Sequence, residues 1–279
     1  MDIVNLNELR VGKENIDGMF DTSWFDSCRI FDDVLLVTNI STSCFVVKTS
    51  EGLVLIDSIL GEQIVFDAIC DAIRATGWDP ADIRHFFITH GHFDHTGCGK
   101  WIKEAFSPRI YMSRIDYEFW GEHPVAGRLR DFEPTDLLEG DNVFQIGDHT
   151  FRQFFTPGHT PGCTSLIFEV HDRGHRHMAG LFGGSGAPND MLEVVKQMRS
   201  IDRFEELMAM HHVDAQLNQH PFTENGLLRL EYAKQRLAHM PNCYVLGEQG
   251  CQRYISQYRE ACYLKIERLT QGVQVAPGL

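Results

Sequence analysis

The sequence predicts an α/β fold in which two β-sheets pack together with helices on the outside. Three observations carry this. Short β-branched and aromatic runs bounded by turn residues read as strands, apolar residues recurring at helical spacing mark helices, and strands precede helices twice along the chain. In the first half, roughly residues 29–140, strand-like runs over Arg29–Asn39, Cys44–Lys48 and Gly52–Ile56 form a β-meander. It leads into a helix over Glu62–Thr76. The run Ile83–Thr89 then reads as a buried strand, with its core at His85–Thr89. A helix over Gly99–Phe106, a strand over Arg109–Met112 and a polar insertion through Gly140 complete this half. The second half, roughly residues 141–245, repeats the order: strands over Asn142–Ile146, Thr150–Phe155, Thr164–Val170 and His177–Phe182, then helices over Met191–Met210 and Glu224–Met240. No linker or low-complexity tract separates the halves, so residues 1–279 read as one domain. The last segment, Gly250–Leu269, mixes Tyr254, Tyr258, Cys262, Leu264, Ile266 and Leu269 with charge, the pattern of an amphipathic helix. It serves either core packing or a contact between copies of the chain in a homo-oligomer.

Composition narrows the class. The 279 residues are 43% hydrophobic, which is enough for a sizeable core. Charges interrupt every apolar stretch well before the roughly 20 residues that span a bilayer, so no membrane segment is expected. The amino terminus is acidic where a signal peptide is basic and then apolar, and the expected location is cytoplasmic. Eight scattered cysteines without a CxxC pair fit reduced thiols better than a disulfide framework. Cys98 and Cys163 lie near the candidate ligand segments and read mainly as small packing residues. A net charge of −14 without a basic stripe argues against a nucleic-acid partner and leaves a small molecule as the expected one.

The chemistry is concentrated in His90-Gly91-His92-Phe93-Asp94-His95, three imidazoles and a carboxylate within six residues at the end of the Ile83–Thr89 run. Imidazole nitrogen and carboxylate oxygen suit Zn²⁺. His90 and His92, two apart on an extended backbone, can face one ion, while Asp94 and His95 then face elsewhere. Four such crowded ligands suggest two neighbouring metals completed from distant segments. His159, fixed in the Pro/Gly turn Thr156-Pro157-Gly158-His159-Thr160-Pro161-Gly162, and His220, in Asn218-Gln219-His220-Pro221, are the candidates. His211 and His212 read as a solvated helix end, and His171, His175 and His177 as a polar hairpin connection.

These motifs, in this order, resemble the metallo-β-lactamase superfamily of zinc hydrolases, and the third subclass of metallo-β-lactamases is the most similar branch. The resemblance begins near Asp21-Thr22-Ser23-Trp24, continues through Gly52–Asp57 and the HGHFDH and TPGHTPG segments, and reaches Asn218–Pro221. It implies a four-layer αβ/βα sandwich with the metals at one edge. It also implies that His90, His92 and His159 hold a first metal and Asp94, His95 and His220 a second. Two departures stand out. Where many relatives carry an aspartate bridging both metals, the chain reads Gly180-Leu181-Phe182-Gly183-Gly184-Ser185-Gly186-Ala187-Pro188, so a water or hydroxide would bridge instead. Aligned on Ala187-Pro188, Gly184 and Gly186 stand where the third subclass uses serines to hold the substrate carboxylate. Ser185 either supplies that polar contact or eases a glycine-rich turn.

The expected activity is zinc-dependent hydrolysis of an amide, ester or lactone by a metal-bound hydroxide, with two Zn²⁺ ions. Asp94 would be both ligand and catalytic group, orienting the hydroxide. Asp57, closing a buried strand, either accepts the proton of a ligand imidazole or caps the following turn. Trp24, with Phe25, and Tyr117, Phe119 and Trp120 either wall the substrate pocket or pack in the core. True β-lactamase activity is the first alternative, and iron-dependent oxidoreduction is one from another class. Di-iron relatives use a glutamate and a bridging aspartate where this chain has His92 and Gly183-Gly184. A purely structural metal module fits less well, because six ligands split between two ions leave coordination positions open.

Overall fold

The computed structural model describes residues 22–122, 130–222 and 225–271. Four strands open the first sheet: β1 (Asp26–Arg29), β2 (Val34–Thr38), β3 (Ser43–Thr49) and β4 (Gly52–Ile56), an antiparallel meander in which Leu36 of β2 faces Phe45 of β3 and Phe45 faces Ile56 of β4. Helix α1 (Gln63–Ala75) follows, burying Val65, Ile69, Cys70 and Ile73 along one stripe. A 3-10 turn, Pro80–Asp82, is capped by Asp79, whose carboxylate accepts the Ala81 N–H. Strands β5 (Ile83–Phe87), β6 (Arg109–Ser113) and β7 (Asp136–Leu138) then add in parallel, giving the order β1-β2-β3-β4-β5-β6-β7. Between them lie the one-turn helix α2 (Phe93–Thr96), α3 (Gly99–Phe106) and α4 (Arg114–Glu122).

The second sheet contains β8 (Asn142–Ile146), β9 (His149–Phe155), β10 (Thr164–Asp172), β11 (His175–Leu181) and β12 (Ala215–Leu217), ordered β12-β11-β10-β9-β8. Its pairs are antiparallel except β11 with β12. Helices α5 (Met191–Met210), α6 (Gly226–Gln235) and α7 (Glu248–Thr270) complete the fold. Asp190 caps α5 by accepting the N–H groups of Leu192 and Glu193.

Three apolar clusters define four layers. One, including Leu55, Ile69, Phe86 and Ile102, joins the first sheet to α1 and α3. A second, including Phe45, Ile56, Phe87, Phe151 and Phe168, fills the space between the sheets. The third, including Ile167, Phe182, Ile201, Phe204 and Tyr258, joins the second sheet to α5 and α7. Strands buried on both faces, such as β2 and most of β3, must be apolar at nearly every position, and they are. Helix plus sheet, sheet plus helix is the αβ/βα sandwich that the motifs implied.

Several boundaries depart from the sequence reading. The strand expected to end at Thr89 ends at Phe87, because Thr89 turns its N–H and hydroxyl to the Asp57 carboxylate. The expected polar insertion holds α4 and β7 in its described part, and Trp120 of α4 is buried and packs on Phe132. The helix expected over Glu224–Met240 stops at Gln235; Glu224 lies outside the described residues. Beyond it, the carbonyls of Leu237, Ala238 and Met240 turn to the Arg173 guanidinium, and Arg236 pairs with Asp172, which a continuing helix would prevent. Helix α7 lays Cys251, Tyr254, Ile255, Tyr258 and Cys262 into the third cluster, while Leu264 stays exposed. The eight cysteines are free thiols, with Cys98 and Cys163 fully buried.

Candidate metal centre

The ligand loop leaves β5 and is clamped from both sheets. Ile88 donates its N–H to the Tyr111 carbonyl, and the Thr89 carbonyl accepts the Thr164 N–H at the start of β10. The chain then folds into α2, which carries Asp94 and His95. Its exit depends on glycine: a Cβ on Gly97 would lie 2.2 Å from the Gly61 nitrogen and 2.3 Å from the Ile59 carbonyl. Asp57 and Ile59, both non-glycine with φ 57°, form the left-handed turn that α2 rests on. For a β-branched isoleucine that conformation is strained, and such strain concentrates at functional sites.

His90, His92 and His159 bring one potential ligand atom each within 4.8 Å of one another. His92 Nδ1 faces His159 Nε2 at 3.0 Å, while His159 Nδ1 meets the Gly186 carbonyl at 2.8 Å. Among the described residues the buried His90 Nε2 has no hydrogen-bond partner, a costly state for a polar atom unless a ligand engages it. Asp94, His95 and His220 form a second group with the same spacing limit. There His95 Nε2 lies 3.3 Å from His220 Nε2 and 3.5 Å from Asp94 Oδ2. His95 Nδ1 meets Asp57 Oδ2 at 2.8 Å, and His220 Nδ1 meets the Ser41 carbonyl at 2.9 Å. The groups adjoin, since the rings of His90 and His95 are 3.9 Å apart. No carboxylate belongs to both groups among the described residues.

These contacts test whether a metal fits. A neutral imidazole carries one N–H. With both rings neutral, as metal ligands must be, His95 and His220 carry that proton on Nδ1, donated to a carboxylate and a carbonyl, and their Nε2 lone pairs face each other. A cation between them turns that opposition into coordination. His159, with its Nδ1 held by Gly186, presents Nε2 to its own group in the same way. The residues therefore fit two metal ions.

Electrostatics favours the binding-competent protonation states of five of the six candidate ligands, His95 being the exception. Burial and then the neighbouring histidines push His90 well below its ordinary value, and burial and His92 do the same to His159. Burial brings His92 down to about 4, and burial and His95 lower His220. Asp94 is buried too, which alone would favour its neutral form. His95, His220 and His92, with the Thr42 hydroxyl at 2.9 Å, outweigh that and hold it down to about 2. His95 goes the other way: burial opposes its charge, but Asp94 and Asp57 raise it.

Asp57 binds His95 and also accepts from the Thr89 N–H and hydroxyl and from Gln219 Nε2, so it ties β4, the ligand loop and the His220 segment together. The turn-capping alternative is not what its side chain does. Ser185, 9% exposed, sits between Gly184, which packs on His159, and Gly186, which anchors it; its hydroxyl makes no hydrogen bond among the described residues. Trp24 is partly buried just before β1 and has no hydrogen bond or ring contact with a ligand residue among those described. Phe119 lies 6.2 Å from the His92 ring and the exposed Phe222 5.3 Å from the His220 ring, both centroid to centroid. His211 caps the end of α5 and His212 is exposed, as expected. His177 pairs with Asp214, and His171 meets Asp33 away from this centre.

Asp116 was not singled out in the sequence. It is fully buried, accepting the Gly91 N–H at 2.6 Å, the Gly162 N–H at 2.6 Å and the Thr160 hydroxyl at 2.8 Å. One carboxylate thus links the loop holding His90 and His92 to the turn holding His159. Burial pushes it up to about 6 against these three donors. The available signal was Ser113-x-x-Asp116, a capping-box pattern that marks the start of α4 and gives no hint of the long-range role.

The fold and the paired ligand clusters resemble those of the metallo-β-lactamase superfamily. A family model described as "Metallo-beta-lactamase superfamily" matches residues 37–173. Among solved structures, BJP-1, a subclass B3 metallo-beta-lactamase of Bradyrhizobium japonicum, aligns with a TM-score of 0.77 over 91% of this chain and 98% of that one, at 21% identity. The FEZ-1 metallo-beta-lactamase of Legionella gormanii aligns with a TM-score of 0.75 over 87% and 95%, at 20% identity. Likeness at this identity speaks for the fold alone. Among curated proteins, the N-acyl homoserine lactonase AttM of Rhizobium radiobacter is 35% identical over 109 residues, 36% of this chain. That alignment spans 41% of the relative's length.

Proposed function

We propose that the chain is a binuclear zinc hydrolase that opens an ester, lactone or amide bond of a small molecule. The observation that carries this is the approach of His95 Nε2 to His220 Nε2 at 3.3 Å, each ring backed at Nδ1, beside a buried His90 Nε2 that has no hydrogen-bond partner among the described residues, an arrangement that bound cations would engage. His90, His92 and His159 would hold one ion and Asp94, His95 and His220 the other. Bound zinc supplies water ionisation near about pH 7 and polarisation of the substrate carbonyl.

The chain's own residues do the rest. Asp94 stays ionised, and Thr42 fixes one of its oxygens, so the carboxylate is oriented to accept a hydrogen bond from the attacking water. Asp57 and the carbonyls of Ser41 and Gly186 hold the ligand rings in one tautomer and one orientation. Ser185, with its unengaged hydroxyl, is the proposed polar contact for substrate, and Trp24 a weaker candidate for the apolar wall.

A lactone leads the substrate classes, supported by the relatives named as N-acyl homoserine lactonases. Glycine at 184 and 186, where the resemblance places serines that hold a substrate carboxylate, speaks against a β-lactam as the main substrate. A panel of an acyl homoserine lactone, a thioester and a cephalosporin, each assayed with and without a chelator, tests this. Chelator-sensitive turnover of the lactone well above the cephalosporin supports the reading, and turnover of the cephalosporin alone would replace it with β-lactamase activity.

A further inference from the structure

A third group of metal-ligating side chains lies at the opposite ends of the strands. Asp33 precedes β2 in the first sheet, His149 opens β9, and His171 is near the end of β10 in the second. β9 runs from His149 toward the His159 turn and β10 runs back from it, so this group sits at the far end of the sandwich from the candidate centre.

Two imidazoles converge on a single oxygen. His149 Nε2 lies 3.0 Å and His171 Nδ1 2.6 Å from Asp33 Oδ2, and the three potential ligand atoms fall within 4.8 Å of one another. The other Asp33 oxygen is taken by the His171 backbone N–H at 2.9 Å. The second nitrogen of His149, Nδ1, meets Asp148 Oδ1 at 3.0 Å, and that oxygen also accepts the Ser50 N–H at 2.8 Å. Asp33 and His149 are buried, while the His171 side chain is 35% exposed.

Hydrogen bonding alone leaves this arrangement with a constraint. A neutral His149 has one proton for two carboxylates, and satisfying both requires the charged ring. A divalent ion removes the constraint. His149 then gives its one proton to Asp148, the usual partnership of a metal-bound imidazole with a backing carboxylate, and its Nε2 lone pair faces inward. His171 contributes Nδ1 and Asp33 contributes Oδ2. Zinc bonds of about 2.0–2.1 Å place tetrahedral ligand atoms roughly 3.3 Å apart. The 3.0 Å His149 spacing here is near that, as are the 3.0, 3.3 and 3.5 Å spacings in the two groups of the candidate centre, while the 2.6 Å His171–Asp33 spacing is a hydrogen-bond distance that has to open by roughly 0.7 Å to admit an ion. The carboxylates of Asp33 and Asp148 balance the two positive charges.

We propose that Asp33, His149 and His171 form a third divalent-metal site, separate from the binuclear centre, that binds a zinc-class ion and cross-links the two sheets. Two imidazoles and one carboxylate select a borderline-soft ion over Ca²⁺ or Mg²⁺. Water completes the coordination on the exposed side of His171.

The test compares zinc content per chain, by elemental analysis after saturation with zinc and gel filtration, in the wild type, His171→Gln and Asp148→Asn. His171→Gln is expected to hold one ion fewer than the wild type. In Asp148→Asn, whose altered side chain is largely exposed, chelator competition is expected to show one class of zinc weakened about 10- to 100-fold with the others unchanged. Because the readout is a difference between variant and wild type, it does not depend on the occupancy of the binuclear centre. Equal zinc content in His171→Gln and wild type, with unchanged competition curves in Asp148→Asn, would overturn the proposal and leave a hydrogen-bonded clasp.

Discussion

Replacing Asp116 with asparagine isolates the link between the two loops that carry the first group of ligands. The amide keeps one oxygen and sets an NH₂ group where the second oxygen accepted a donor at 2.6 to 2.8 Å. One buried donor then loses its acceptor, at about 1–3 kcal/mol, and the remaining bonds lose their charge assistance, at about 1 kcal/mol each. Against this, a carboxyl that burial has raised from 3.8 to about 6 no longer has to ionise inside the protein, which offsets about 3 kcal/mol. The two effects are comparable, so global stability should stay within about 2 kcal/mol of the wild type. The loss should appear instead in the metal centre, because the Gly91 and Gly162 peptides that fix His90, His92 and His159 are no longer held. Losing such support typically lowers metal affinity about 10- to 100-fold. Chelator competition measures this alongside urea denaturation of the same samples. Unchanged affinity, or loss of every bound metal together with global unfolding, would refute the assigned role of Asp116.

Asp57→Asn removes the acceptor at His95 Nδ1 and should weaken the second ion about 10- to 100-fold, as read by metal titration; an unchanged titration would count against it. Gly184→Ala puts a methyl group 2.4 Å from His159 Cβ and 2.9 Å from Cys163 Sγ. That overpacking of about 1–3 kcal/mol should shift His159 and lower affinity for the first ion, whereas a crystal structure with His159 unmoved and full affinity would contradict it. The metal-free protein should also be acid-sensitive. His92 is held at about 4 against 6.5 for a free imidazole, so the folded state binds this proton less tightly than the unfolded chain. Its contribution is fully present above pH 6.5 and is lost as pH falls through the window down to about 4, by about 3 kcal/mol. Denaturation of chelator-treated protein at stepped pH measures this, and a flat profile between pH 6.5 and 4 would refute it.

Much of the candidate site was legible because its residues are close in sequence or fixed by rigid turns. His90, His92, Asp94 and His95 occur within six residues, and prolines and glycines frame His159. The layer order was legible too, since doubly buried strands such as β2 and β3 must read as apolar runs. What was not legible depends on contacts between distant segments. Asp116 reads locally as a helix-capping residue, and only the fold brings it to Gly91 and Gly162. Asp33 just before β2, His149 on β9 and His171 on β10 are far apart in sequence and share no motif, so nothing in their spacing marks them as a group. The early end of α6 has the same cause, because Arg173, more than sixty residues upstream, takes the carbonyls a longer helix would have used. Trp120, for which pocket wall and core packing were both open, lies in the core cluster beneath the first sheet's helices.

On the proposed function, two adjacent ligand groups hold zinc and hydrolysis depends on them. The most direct measurement returns zinc stepwise to chelator-stripped protein, following bound metal by elemental analysis and turnover of an acyl homoserine lactone in the same samples, for the wild type, His90→Ala and His220→Ala. Turnover should return with zinc in the wild type and fail to return in both variants. Turnover that survives stripping, or that returns equally in the variants, would contradict the claim.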